Sequence, residues 1–282
     1  MNFTLKGAQL EVTATERGAE LRSVRFMGKE RLWQNADGSW AGHAPVLFPV
    51  CGSCAVKIDG KEYPCPKHGF AKDSDFTLLE KTENSLKFRL IQDEKSKIYY
   101  PYNFVFCVEY KIHENELSIV YEVYNPQDGA LYFSCGGHDS FILESALENY
   151  VLKFEREEKF QSLLVGGGGM LTGESAPLGN GRILSLSTRL LENGNSVCFG
   201  KLNSRCVVLL EKKTGKSVVR LCFPQTDKLV LWRPHGADML CIEPWQNLPD
   251  VMGSDKEFGD KDGVIRVEPR KSARIARTVT YY

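Results

Sequence analysis

The chain has 282 residues, 42% hydrophobic and 26% charged, values that allow a large buried core and exclude disorder as the dominant state. Its 36 Lys and Arg balance 36 Asp and Glu, so the basic excess needed to grip a phosphate backbone is missing and no nucleic-acid partner is expected. The opening MNFTLKGAQL has no signal-peptide pattern, and no apolar run nears the roughly 18 residues of a membrane span; a soluble cytoplasmic protein with no membrane partner is expected.

Short runs with strand-like alternation recur along the chain: Leu10 and Val12, then Phe88 and Leu90, then Leu117, Ile119, Tyr121 and Val123. Residues 104–108, 207–210 and 229–232 are almost continuously apolar, as in strands covered on both faces. Between the runs stand Asp59-Gly60, Asp128-Gly129, Asn193-Gly194 and Asp262-Gly263, each read as a hairpin turn because the pair supplies positive φ cheaply. No window of about 12 residues keeps a helical apolar period, and the nearest, 141–147, is too short. With no fixed repeat and no linker composition, the pattern predicts one all-β domain over residues 1–282, built from two packed antiparallel sheets.

Several local signals compete with this simple reading. The glycine run 166–169 is followed by no Lys-Ser or Lys-Thr, and reads as a mobile loop rather than a phosphate cradle. Thr214-Gly215-Lys216-Ser217 imitates the end of a nucleotide-binding loop, but Leu210 occupies the place of its first glycine, so a hairpin turn is expected. Nine cysteines, an odd number spread from Cys51 to Cys241, suggest free buried thiols in a reducing compartment. Cys51-x2-Cys54 and Cys65-x2-His68 have the spacing of a structural zinc set. Against zinc stand the ordinary turn at Asp59-Gly60 and a chain large enough to need no metal staple; no metal is assigned.

The five histidines are His43, His68, His113, His138 and His235. His113 sits in a polar turn and is read as solvated. His68 precedes Gly69, and His138 follows Gly136-Gly137, where a missing Cβ lets backbone or ligand come close. Glu243 lies in the apolar stretch 240–245, where a lone carboxylate is costly without a partner or a purpose.

Taken together, the segments 44–49 (APVLFP), 67–71 (KHGFA), 136–138 (GGH) and 241–245 (CIEPW) resemble the aldose 1-epimerase (galactose mutarotase-like) family, in its LacX-like branch. The resemblance implies a large antiparallel β-sandwich with a sugar cleft on one sheet, acting on a monosaccharide as monomer or homodimer and needing no cofactor. It implies that Glu243 takes the proton of the anomeric hydroxyl while a protonated His138 donates to the ring oxygen, with His68 hydrogen-bonding the sugar. Ordinary pKa values, near 6.5 for histidine and 4.3 for glutamate, supply one acid and one base without large shifts. Trp245 and Phe70 are candidate sugar faces. The sequence departs from the family at Ser53, where arginine is common, at Asn195, in place of an aspartate, and at Lys72, where arginine is frequent; all three are candidate sugar contacts. Those departures keep open a non-catalytic sugar-binding protein. A hexose-phosphate epimerase is a further alternative, with Lys72, Arg220 and Arg233 as candidate phosphate ligands.

Overall fold

Burial follows the sequence alternation residue by residue: Leu10–Thr15 and Glu116–Tyr124 each bury every second side chain, the pattern of a strand with one face on a core. In the computed structural model, which describes residues 1–192 and 195–282, 51% of the chain is strand and 8% helix. A fifteen-stranded antiparallel sheet runs from Val46–Leu47 through Gly136–Gly137, Met239–Trp245, Lys228–Trp232, Val197–Phe199 and Tyr150–Val165 to Cys206–Glu211 and Ser217–Cys222. It continues through the C-terminal strand Ser272–Tyr281 to Glu116–Tyr124, Val105–His113, Ser85–Ile91 and Thr77–Lys81. A four-stranded sheet made by residues 2–30 packs on it. Phe3 meets Phe88 at 5.9 Å, and Tyr110, buried in the large sheet, donates its hydroxyl proton to the Ala19 carbonyl at 2.6 Å. The expected β-sandwich is therefore the observed fold.

Two expected turns hold. Asp59 and Gly60, at φ 51° and 75°, close the hairpin of Val56–Ile58 with Lys61–Tyr63. Gly215 turns Cys206–Glu211 into Ser217–Cys222. Two others are corrected. Asp128-Gly129 does not join a hairpin, because the strands beside it pair elsewhere, Leu131–Phe133 with Ile265–Val267. Asp262-Gly263 likewise links a 3-10 turn to that same strand, and Gly263 packs on the Gln246 carbonyl. Asn193-Gly194 lies outside the described residues. The glycine run forms a 3-10 turn, Gly167–Gly169, between the paired strands Tyr150–Val165 and Leu171–Ser185. One short α-helix, Glu94–Tyr99, begins at a capping box in which Asp93 and Ser96 bond each other's backbone N–H.

The expectation of free thiols throughout is also corrected. Cys206 and Cys222 stand directly opposite each other on neighbouring strands, and register alone brings them together as a disulfide. The other seven cysteines are free, all buried except the half-buried Cys65.

Candidate active site

The segments 46–52 and 67–71 are folded onto one another by a set of backbone hydrogen bonds. Phe48 presents its carbonyl to the N–H groups of Phe70 and Ala71, at 3.0 and 3.2 Å, while His68 N–H reaches the Gly52 carbonyl at 2.9 Å. The chain must turn left-handed to do this, at His68 (φ 67°) and Gly69 (φ 72°). A Cβ on Gly69 would stand 2.0 Å from the Phe48 oxygen, so only glycine fits. Gly69→Ala is expected to cost roughly 2–4 kcal/mol of stability, read as a lower denaturant midpoint with an unchanged slope.

Facing this hairpin-like clasp, the two glycines before His138 make room on both faces of the sheet. A Cβ at Gly136 would strike the Trp245 ring at 2.7 Å, and one at Gly137 the Arg277 guanidinium at 2.4 Å. Gly136 pairs with Trp245 and Asp139 with Ile242, so the same antiparallel register sets His138 opposite Glu243. The pairing continues from Glu243 to Val230, from Val230 to Cys198 and from Cys198 to Leu163. These side chains form one row across the sheet, because directly opposed residues share a face.

At the end of that row, His138 Nε2 lies 3.2 Å from Glu243 Oε2. The contact lacks hydrogen-bond alignment, and both Glu243 Oε2 and His138 Nδ1 are buried without a partner. Orphaned polar atoms are rare in folded interiors and mark places where something else is meant to bind. Trp40 stacks on the His138 ring at 5.0 Å, Trp232 meets its edge at 5.6 Å, and His68 approaches at 5.5 Å. His68 accepts the Gly52 N–H at Nδ1, 3.0 Å away. A neutral His68 with Nδ1 so engaged carries its proton on Nε2, and offers that N–H outward as a donor.

Burial changes the protonation expected from ordinary pKa values. It lowers His138 to about 3, helped by the Lys67 ammonium. Burial, with His138, Lys67 and Lys72 added, also holds His68 well below its usual value. Burial and the Asp139 charge push Glu243 well above the usual carboxylate range, against Lys67 and the Trp245 indole N–H. The expectation of an unshifted acid and base is therefore corrected: burial favours the neutral imidazole of His138 and shifts Glu243 toward its neutral carboxyl, because neither charge is well solvated there.

His68, His138, Glu243 and Trp245 are brought together, since Trp245 sets its ring edge on His68 at 5.3 Å and donates its indole N–H to the Gly137 carbonyl at 3.2 Å. Phe70 is not with them. It is 5% exposed and packs among Phe48, Tyr99, Tyr100 and Phe104, so it is a core residue rather than a sugar face. Cys51, Cys54, Cys65 and His68 do not gather as a metal set; Cys54 instead faces Lys261, which is bonded to Asp250 at 2.7 Å. A cavity of about 680 Å³ opens beside the row, bordered by Leu163, Lys228 and Leu248; none of His68, His138 or Glu243 lines it.

The aldose 1-epimerase family model matches residues 1–261. This chain belongs to the aldose 1-epimerase family. It is similar to protein LacX of Lactococcus lactis subsp. lactis, 28% identical over 99% of both chains. Among solved structures it is similar to a galactose mutarotase related enzyme from Lactobacillus acidophilus, at 26% identity and TM-score 0.91, covering 100% of this chain and 97% of that one. A galactose mutarotase-like protein from Lactobacillus casei superposes at TM-score 0.92 with 25% identity, over 100% of both chains.

In this aldose 1-epimerase family member the three further candidate sugar contacts, Ser53, Lys72 and Asn195, have distinct fates. Ser53 gives its hydroxyl proton to the Gly168 carbonyl at 2.7 Å, tying down the glycine turn. Lys72 is paired with Asp73. Asn195 is exposed and borders a separate cavity of about 450 Å³ with Ser162 and Leu190, away from the His138–Glu243 pair. The proposed phosphate ligands are likewise engaged locally: Arg220 with the Cys206 sulfur, Arg233 with the Ala237 carbonyl and the Thr188 hydroxyl. Sequence reasoning missed Trp40 and Trp232, which wall His138, and Lys67, whose exposed ammonium acts on His68, His138 and Glu243 together. Lys67 was legible only as the neighbour of His68; Trp40 stood at the start of the family resemblance and Trp232 in the apolar run 229–232, but neither was assigned to the site.

Among the described residues no helix is long and apolar enough to cross a membrane.

Proposed function

We propose that this chain interconverts the α and β anomers of a free hexose by acid–base ring opening, with Glu243 and His138 moving the protons and His68 donating from Nε2 to a sugar oxygen. The observation that carries this reading is the buried pair itself: an imidazole and a carboxyl 3.2 Å apart, with the facing carboxyl oxygen left without a hydrogen bond. Glu243 takes the proton from the anomeric hydroxyl as His138 delivers one to the ring oxygen; the open aldehyde rotates about its C1–C2 bond and recloses with the roles reversed. The cycle starts with the pair's one proton on His138, and the Lys67 ammonium favours the Glu243 carboxylate that accepts from the anomeric hydroxyl. No cofactor takes part in these steps.

The pH profile carries the mark of burial. The pair stays singly protonated between the His138 value near 3 and the raised Glu243 value, and both limbs belong to the pair rather than to either residue. Below the lower limit His138 gains a proton while Glu243 keeps its own, so the base is lost; above the upper one the last proton leaves and the acid is lost. We expect the acid limb of kcat/KM to fall near the low His138 value and the alkaline limb to lie above the ordinary carboxylate range, where unshifted groups would give a maximum near about 5.4.

Mutarotation of freshly dissolved α-D-glucose and α-D-galactose, followed by polarimetry or NMR, tests the activity. A rate no faster than the spontaneous one for every aldose tried, with sugar binding intact, would favour the non-catalytic sugar-binding protein, a reading supported by the loss of Ser53 and Asn195 as sugar anchors.

A further inference from the structure

Glu243 is two residues from Cys241 on one strand, so both side chains project from the same face of the sheet, opposite His138. The His138 nitrogen, the Cys241 sulfur and a Glu243 oxygen all lie within 4.8 Å of one another, the one such group of three found among the described residues. We propose that His138, Cys241 and Glu243 form a binding site for one divalent cation of the zinc type.

Three features support the assignment. Nitrogen, thiolate sulfur and carboxylate oxygen are a donor set that a borderline-soft ion accepts, and bond lengths of about 2.0–2.3 Å place tetrahedral donors roughly 3.3–3.7 Å apart. The observed 3.2 Å between Nε2 and Oε2 already matches one edge of that tetrahedron. Charge also balances. The ligands bind deprotonated, so a thiolate and a carboxylate neutralise a dication in a place where Cys241 is 0%, Glu243 1% and His138 8% exposed. Finally, Glu243 Oε2 is a buried atom with no hydrogen-bond partner, facing the imidazole across the gap the ion would fill. The neighbouring cluster of Cys54, Asp250 and Lys261 offers no such vacancy in its bonding, since the Lys261 ammonium is held by Asp250 and the Ala55 carbonyl.

Three protein ligands leave a fourth position open to water or to a sugar hydroxyl. A bound ion would occupy the atoms that our functional reading assigns to proton transfer, and on that reading it inhibits mutarotation. The metal site itself does not depend on that reading.

Titration of the purified, metal-free full chain with Co2+ tests the site by spectroscopy, independently of activity. We expect one equivalent to bind with a thiolate-to-cobalt charge-transfer absorption, bleached by one equivalent of Zn2+. Cys241→Ser should abolish that absorption, and Cys65→Ser, at the half-buried thiol elsewhere, should leave it intact. Should Cys241→Ser not fold, Glu243→Gln serves in its place, weakening cobalt binding by roughly tenfold or more. Absence of the absorption, or its survival in Cys241→Ser, overturns the proposal. Cobalt binding as expected with mutarotation undiminished would uphold the metal site and overturn the proton-transfer roles; mutarotation without cobalt binding would do the reverse.

Discussion

Glu243→Gln is expected to lower kcat by about 100- to 10,000-fold while leaving the fold intact. The amide keeps the shape of the carboxyl but cannot accept a proton from the anomeric hydroxyl or pass one to His138. The fold should tolerate the change because burial already favours the neutral carboxyl. With its folded pKa raised by burial, Glu243 opposes folding as pH climbs above about 4.5, where the unfolded chain releases a proton that the native one retains. Glutamine removes that opposition, so the variant should be no less stable than the parent at neutral pH, and its relative stability should rise with pH until Glu243 itself ionises. Polarimetry gives the rate, and thermal unfolding across the pH range gives the stability. A variant retaining more than a tenth of the parent rate would remove Glu243 from the mechanism.

Asp139→Ala should cost about 3–5 kcal/mol, the largest stability loss foreseen for a single substitution here. Asp139 receives Arg277 through two hydrogen bonds, at 2.8 and 3.0 Å, and both partners are almost fully buried, 2% and 5% exposed. Arg277 also lies over the Tyr121 ring at 5.0 Å. Truncating the carboxylate leaves a guanidinium in the interior with no counter-charge, and solvation cannot reach it. The expected readout is a melting temperature lower by roughly 5–15 °C. Because Asp139 adjoins His138 in sequence and Arg277 fills the space that Gly137 vacates, the variant should also lose activity under conditions in which it remains folded. A melting point within 2 °C of the parent would show that the pair does not support the fold.

Much of the sheet was legible because alternation in the sequence is alternation of burial, as in Glu116–Tyr124. Turns were legible only where the strands beside them pair with each other. Asp59-Gly60 and Thr214-Gly215 met that condition, whereas Asp128-Gly129 lies between strands with other partners, a fact of topology that no dipeptide encodes. The Cys206–Cys222 bond depends on register in the same way. At the site, His68, His138 and Glu243 could be chosen from their glycine neighbours and apolar surroundings, but their protonation could not. It is set by how many walls enclose them, and nothing in the apolar run 229–232 or around Trp40 shows that Trp40 and Trp232 turn toward His138. Phe70 misled for a related reason: the backbone clasp that aims His68 at the site turns the neighbouring ring into the core.

The last strand of the chain, Ser272–Tyr281, lies inside the large sheet between Ser217–Cys222 and Glu116–Tyr124, and carries Arg277 to the back of His138. A chain lacking these residues has two open strand edges and an unshielded aspartate behind its imidazole. Removing residues 272–281 should therefore leave an aggregation-prone chain rather than a trimmed, folded one, because the sheet cannot close without its inner strand.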